Sequence, residues 1–160
     1  MSVRLSDPIL GELTYQHGWV RDFSVNFLCE QHILRLIVPC DEGAVIETAQ
    51  RDAFQHFEER RESLLQQAEN TLLAHYMTIR DEKSKQFGLT HSDLWAPRIT
   101  CLDQLSELVT PTEVVIQQTF GASDRMVGLL LECLWEQSQG VAIKFINEEV
   151  VEVGPQDIVL

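Results

Sequence analysis

VIETAQRDAFQHFEERRESLLQQAENTLLAHYMTIRD, residues 45–81, contains neither glycine nor proline, and its apolar residues recur at steps of three and four. That spacing is typical of an amphipathic helix with one buried face. A single helix over this stretch would be about 50 Å long, longer than a small sheet is wide. We therefore expect a kink, a break into two helices that join near residues 59–63, or an end that extends beyond the sheet. The predicted buried positions are Ile46, Ala49, Ala53, Phe57, Leu64, Leu65, Ala68, Leu72 and Tyr76.

The residues before this helix alternate between apolar and polar, which predicts β-strands with one buried face. The clearest case is Trp19 to Leu28, where Phe23 and Phe27 share one face and Asp22 lies on the other. His17 and Gly18 predict a turn before it. We expect a meander with strands at residues 10–16, 19–28 and 32–38.

The residues after the helix return to strand patterns. A polar passage from Arg80 to Arg98 precedes a predicted short helix at Cys101 to Val109, which the segment 110–112 should end. Met126 to Trp135 is apolar on both faces, which indicates a central strand covered on each side. The other strands are expected at residues 114–120, 141–145 and 150–153, and 156–160 fits a last short strand.

Strands grouped at both ends of the chain, with helices between them, predict an α+β fold. Tight turns within each group favour antiparallel pairing. We expect antiparallel sheet or sheets built from the N-terminal and C-terminal strands, with one long and one short central helix packed on a face. The 160 residues suit a single domain, 1–160.

The charge of the chain is strongly one-sided. There are 25 Asp and Glu against 12 Lys and Arg, a formal net charge of −13. The segment from Thr100 to Leu160 has ten acidic residues, and its only basic residues are Arg125 and Lys144. Because such a field repels phosphates, we expect no nucleic-acid partner and no anionic membrane surface as a partner.

Motifs of the common enzyme classes do not occur in this sequence. It has no glycine-rich phosphate loop, no G-x-S-x-G and no H-E-x-x-H. Cys29 and His32 have the spacing of two metal ligands, but a structural zinc site needs four. We therefore expect no catalytic residues, no metal and no cofactor, and we expect four free cysteines.

The sequence also bears on location. Its longest apolar run, Val127 to Leu131, is far below the roughly 20 residues that cross a bilayer. The first residues lack the apolar segment of a signal peptide. We expect a cytoplasmic protein.

The remaining feature that bears on function is a candidate protein-binding surface. Acidic residues recur at predicted turns and outer faces of the last third, and a negative patch steers a basic partner. Interfaces also need apolar anchors, for which tryptophan is favoured. The candidate partner-binding residues are Glu132, Glu136, Glu148, Glu149, Glu152, Asp157, Trp95 and Trp135.

Several short motifs resemble those of a known family. They are residues 7–13 (DPILGEL) with Gly18 and Trp19, residues 108–112 (LVTPT), residues 140–145 (GVAIKF) and residues 153–158 (VGPQDI). The chain looks like a family of small bacterial domains of unknown function, often encoded beside polymorphic or type VI secreted toxins and thought to include their immunity proteins. The family pattern has His before Gly140, where this chain has Gln139. The resemblance implies no catalytic residues.

We therefore expect a non-enzymatic immunity protein that covers the active site of a cognate toxin with a basic surface. Two alternatives stay open. The first is a small enzyme or ligand-binding protein with a site assembled from scattered residues such as His17, Cys29 and His32. The second is a self-associating housekeeping domain.

Overall fold

The computed structural model describes residues 3–87, 97, 99 and 101–160. Its elements in chain order are β1 (Arg4–Asp7), β2 (Gly11–Tyr15), β3 (Trp19–Phe27), β4 (Glu30–Val38), α1 (Thr48–Glu59), α2 (Arg61–Phe87), α3 (Leu102–Leu105), β5 (Val109–Ile116), β6 (Met126–Cys133), β7 (Val141–Ile146), β8 (Glu149–Gly154) and a 3-10 helix (Gln156–Val159). The α+β class is confirmed.

All eight strands form one sheet, and their order in the sheet is their order in the chain. Neighbouring strands are antiparallel except β4 and β5, which run parallel, with Leu36 opposite Val114. The expectation of purely antiparallel pairing is wrong at this junction. The helices between β4 and β5 return the chain to the opposite end of the sheet, which is how parallel neighbours are connected.

The helical stretch breaks at one residue. Helix α1 ends at Glu59, α2 begins at Arg61, and Arg60 between them keeps a backbone hydrogen bond to the carbonyl of Phe57. The expected break near residues 59–63 is therefore confirmed, and α2 extends past the predicted end at residue 81 to Phe87. The expectation of one long and one short central helix is wrong, because the break gives three α-helices among the described residues.

Helices α1 and α2 cover one face of the sheet, and the predicted apolar stripe is buried except at Ala49, which is partly exposed. The rings of Phe57 on α1 and Phe145 on β7 meet edge to face at 5.6 Å. Tyr76 on α2 packs on Trp135, with ring centroids 4.9 Å apart. This helix-covered face holds the main core.

The opposite face of β6 is also covered, but by the end of the chain. Residues 156–159 form a 3-10 helix instead of the expected strand. Val159 lies over Gly128, where an added Cβ would come within 2.5 Å of the Val159 Cβ. The prediction that β6 is covered on both faces is confirmed, and Gly128 provides the space for the 3-10 helix.

Two boundaries differ from the predictions. Helix α3 is only Leu102–Leu105, and β5 starts at Val109, so Pro111 lies inside a strand. The register with β6 shifts between Pro111 and Glu113, a bulge that accommodates the proline. Strand β1 was not predicted.

No helix among the described residues is long and apolar enough to span a membrane.

Candidate protein-binding surface

Three of the predicted acidic residues are exposed on the sheet face that the helices leave uncovered. They are Glu132 on β6 and Glu149 and Glu152 on β8. Lys144 on β7 lies directly across from Glu152 in the ladder. Asp157 is exposed on the 3-10 helix that crosses this face.

These acidic residues do not form one compact patch. Glu152 on β8 pairs with Lys144 on β7, which pairs with Gly128 on β6. Glu132 lies four residues beyond Gly128 on β6, so it is two strands from Glu152 and four residues along the strand direction. At about 3.3 Å per residue and 4.8 Å per strand, the Cα atoms of Glu132 and Glu152 are roughly 16 Å apart. Glu132 instead lies near Glu107, and both line a depression of about 400 Å³.

Glu148 is an acidic residue of a different kind. Its carboxylate accepts two hydrogen bonds from Arg125, from Nη2 at 2.8 Å and Nε at 3.1 Å. Its side chain is only 9% exposed. The pair neutralises one of the two cations in the last third, so Glu148 is a structural residue rather than part of the open acidic surface.

Trp135 and Glu136 belong to the turn between β6 and β7. Trp135 is 6% exposed, so it lies in the core and cannot serve as the exposed anchor that the sequence suggested. Glu136 Oε1 accepts a hydrogen bond from the Ser138 hydroxyl and longer bonds from the amides of Ser138 and Gln139, which shapes the turn. The other candidate anchor, Trp95, lies outside the described residues.

Beside this turn is a cleft of about 190 Å³ between α2 and the sheet. His75, Trp135, Gln139 and Gly154 are among its lining residues. Burial lowers the pKa of His75, and the nearby Glu82 opposes this effect only in part. The imidazole is therefore neutral at neutral pH and offers one donor and one acceptor. Gln139 therefore lies in the same cleft as His75.

The opposite end of the sheet carries two long loops and a tight turn, which together we call the loop end: residues 39–47, 117–125 and 147–148. Glu47, the last residue before α1, links two of them. Its carboxylate accepts hydrogen bonds from the Thr119 amide at 2.7 Å, the Thr119 hydroxyl at 3.2 Å and the Phe120 amide at 3.1 Å.

A second set of bonds holds the tight turn. The Asn147 side chain accepts a hydrogen bond from the Arg125 amide and donates one to Asp124, both at 3.0 Å. The Asn147 amide donates to the Arg125 carbonyl at 2.9 Å. Together with the Arg125–Glu148 ion pair, these bonds tie loop 117–125 to the turn between β7 and β8.

The loop end exposes two large apolar side chains. Phe120 is 80% exposed and Val45 is 82% exposed. The sequence patterns missed both, because Phe120 continues the alternation of the preceding strand and was assigned to it. The sequence gives one local indication that Phe120 could belong to a loop: it lies directly before the predicted turn at residues 121–124.

The residues of the ligand-site alternative lie at two ends of the sheet. His17 precedes β3 and Cys29 follows it, so they lie about 30 Å apart at opposite ends of a nine-residue strand. His32, on β4 opposite Val25, is at the same end as Cys29. Cys29 is exposed in a depression of about 490 Å³ that Arg61 and Glu69 also line. Within the ranges that the structure describes, no three His, Cys, Asp or Glu side chains are grouped to hold a metal.

Comparison with known proteins identifies the family of the chain. A profile of the family described as "Domain of unknown function (DUF6985)" matches residues 9–160. Neither the curated proteins nor the solved structures contain a match to the chain. The matched region takes in every element from β2 onward, including the loop end and the sheet face that carries Glu132, Glu149 and Glu152, which we call the acidic face. The chain therefore belongs to the DUF6985 domain family.

Proposed function

We propose that this domain is a cytoplasmic protein-binding module that neutralises a basic partner protein, in the manner of an immunity protein covering the active site of a secreted toxin. The observation that carries the proposal is the unbalanced charge of the last third. Of its two cations, Arg125 is paired with Glu148, and Lys144 lies opposite Glu152.

The exposed carboxylates are free to act on a partner at a distance. Glu132, Glu149, Glu152 and Asp157 are all exposed. Such a surface accelerates the encounter with a cationic protein and contributes less to the lifetime of the complex. A toxin that acts on nucleic acid or nucleotides presents a basic cleft, and an acidic protein that covers this cleft competes with its substrate.

The test measures binding to the protein encoded by the neighbouring gene, at 50 mM and 300 mM salt. The unaltered chain is expected to bind with a dissociation constant below micromolar, and binding should weaken as salt screens the charges. Absence of association at micromolar concentration contradicts the proposal.

A matched pair of variants separates the acidic face from net charge alone. Glu132→Lys with Glu152→Lys should slow association several-fold at low salt. Glu59→Lys with Glu62→Lys, at exposed positions of α1 and α2 on the other side of the sheet, changes the net charge equally. Equal slowing by both pairs would mean that only the overall charge matters and that the acidic face is not the contact surface.

A further inference from the structure

We propose that Phe120 is the apolar anchor of the partner contact, and that the partner receives it in an apolar pocket rimmed by lysine and arginine. This inference rests on the proposed function and adds to it the contact point and the chemistry of the partner surface. It is argued from the exposure, the backbone conformation and the charges of the loop end.

Phe120 is held in a conformation that its own side chain disfavours. Its φ is +51°, in the left-handed region that non-glycine residues rarely adopt. The ring is nevertheless 80% exposed and adds little to the core. The fold thus keeps a large aromatic side chain in water at a disfavoured backbone position, and this placement indicates a role outside the stability of the domain.

The loop that carries Phe120 is fixed before any partner arrives. Glu47 accepts hydrogen bonds from the amides of Thr119 and Phe120, and Asn147 binds Asp124 and Arg125 farther along the same loop. A side chain presented by an already ordered loop loses little conformational freedom on binding. This is the property expected of an interface anchor, and aromatic residues are enriched among such anchors.

The charges around Phe120 define the rim of the complementary pocket. Arg125 at the loop end and Arg51 on α1 are already paired with largely buried carboxylates, those of Glu148 and Asp7. Exposed carboxylates on the same loop, on loop 39–47 and on the N-terminal half of α1 are those of Asp124, Asp41, Glu42 and Asp52. An apolar centre inside an acidic rim fits an apolar pocket inside a basic rim.

The test uses the full chain and the product of the neighbouring gene, with affinities measured by calorimetry. Phe120→Asn removes the ring and retains a residue that tolerates the left-handed conformation, so the loop keeps its shape. The matched control is Ile33→Asn, because Ile33 is 75% exposed on β4 and away from the loop end. Thermal unfolding of both variants verifies that each is folded.

Support for the inference is a loss of affinity of tenfold or more for Phe120→Asn, with Ile33→Asn within twofold of the unaltered chain. If the unaltered chain binds and Phe120→Asn binds equally well, the assignment of Phe120 as the anchor is wrong and the proposed function stands. If the unaltered chain does not bind, the proposed function fails and the anchor fails with it.

The rim is tested separately from the ring. Asp52→Asn with Asp124→Asn should slow association several-fold at 50 mM salt and leave the rate at 300 mM salt nearly unchanged. An unchanged rate at both salt concentrations would overturn the basic rim while leaving Phe120 as the anchor.

Discussion

Replacing Glu47 should weaken the domain more than its partly exposed position suggests. Its carboxylate accepts three hydrogen bonds from Thr119 and Phe120, and it stands immediately before α1. A hydrogen bond to a charged acceptor contributes a net ~1.5–3 kcal/mol, and less where water reaches it, as it does at Phe120. We therefore expect Glu47→Ala to lower the free energy of unfolding by about 2–4 kcal/mol. Glu47→Gln, which exchanges one acceptor oxygen for a donor amide, should lower it by roughly half as much.

The measurement is urea denaturation followed by circular dichroism, with hydrogen exchange of the Thr119 and Phe120 amides as the local readout. For a domain of this size, the loss from Glu47→Ala corresponds to a decrease in Tm of roughly 5–15 °C. Glu42→Ala, at an exposed position of the same loop, should stay within ~0.5 kcal/mol of the unaltered chain. The reasoning is refuted if Glu47→Ala behaves like Glu42→Ala and both amides exchange as slowly as before.

Three further predictions concern packing, pH and thiol chemistry. Gly128→Ala should lower the free energy of unfolding by ~1–3 kcal/mol in thermal unfolding, because the added Cβ would come within 2.5 Å of Val159. Val159→Gly should relieve part of that loss in the double variant, and additive losses from the two substitutions would contradict the contact. Burial raises the pKa of Asp7, but hydrogen bonds from the Leu10 amide, Arg51 and the Ile9 amide outweigh it and lower the pKa below its ordinary 3.8. The Asp7 carboxylate therefore stabilises the fold above about pH 4, and this stabilisation is lost as pH falls through its folded-state pKa. Asp7→Asn should flatten the acid limb of the curve of unfolding free energy against pH. An unchanged acid limb would contradict this role of Asp7. Burial raises the pKa of Cys133 to about 11, and Cys40 is also buried, so both thiols should react slowly at pH 8. Ellman's reagent should therefore modify two thiols quickly in the native chain and all four in urea. Rapid modification of all four thiols in the native chain would mean that the core is open. The two reactive thiols are those of Cys29 and Cys101.

The helices and most of the strands could be predicted because their signals are local. The 3.6-residue spacing of residues 45–81 identified α1 and α2 and the need for a break, and the period-2 alternation of residues 19–28 identified β3. The final segment shows the limit of such signals. Ile158 and Val159 are apolar in a pattern that suits a short strand, yet they form a 3-10 helix over Gly128. The deciding factor is the space above a glycine 31 positions earlier, which no local pattern reports.

The candidate site was predicted less well than the fold, for the same reason. Net charge identified an acidic exterior, but the placement of each carboxylate depends on its partner in space. Glu148 was predicted to be open and is bound to Arg125, which lies 23 residues away in the chain. Glu47 received no role, and its hydrogen-bond partner Thr119 is 72 residues away.

The parallel junction of β4 and β5 is what makes the loop end possible. If β5 ran antiparallel to β4, its eight residues would place its C-terminal end about 26 Å from the end of β4, and Glu47 could not reach Phe120. Gln50 reinforces the junction, because its fully buried side chain donates to the carbonyls of Pro39 at 2.8 Å and Ile116 at 3.0 Å, just past one strand and at the end of the other. The same side chain accepts a hydrogen bond from the Glu47 amide at 3.0 Å. The strand ends, the start of α1 and the loop that carries Phe120 are therefore held by two side chains three residues apart. In an antiparallel arrangement the exposed aromatic residue would have no such support, so the parallel junction, which was not expected, is also the feature on which the proposed contact depends.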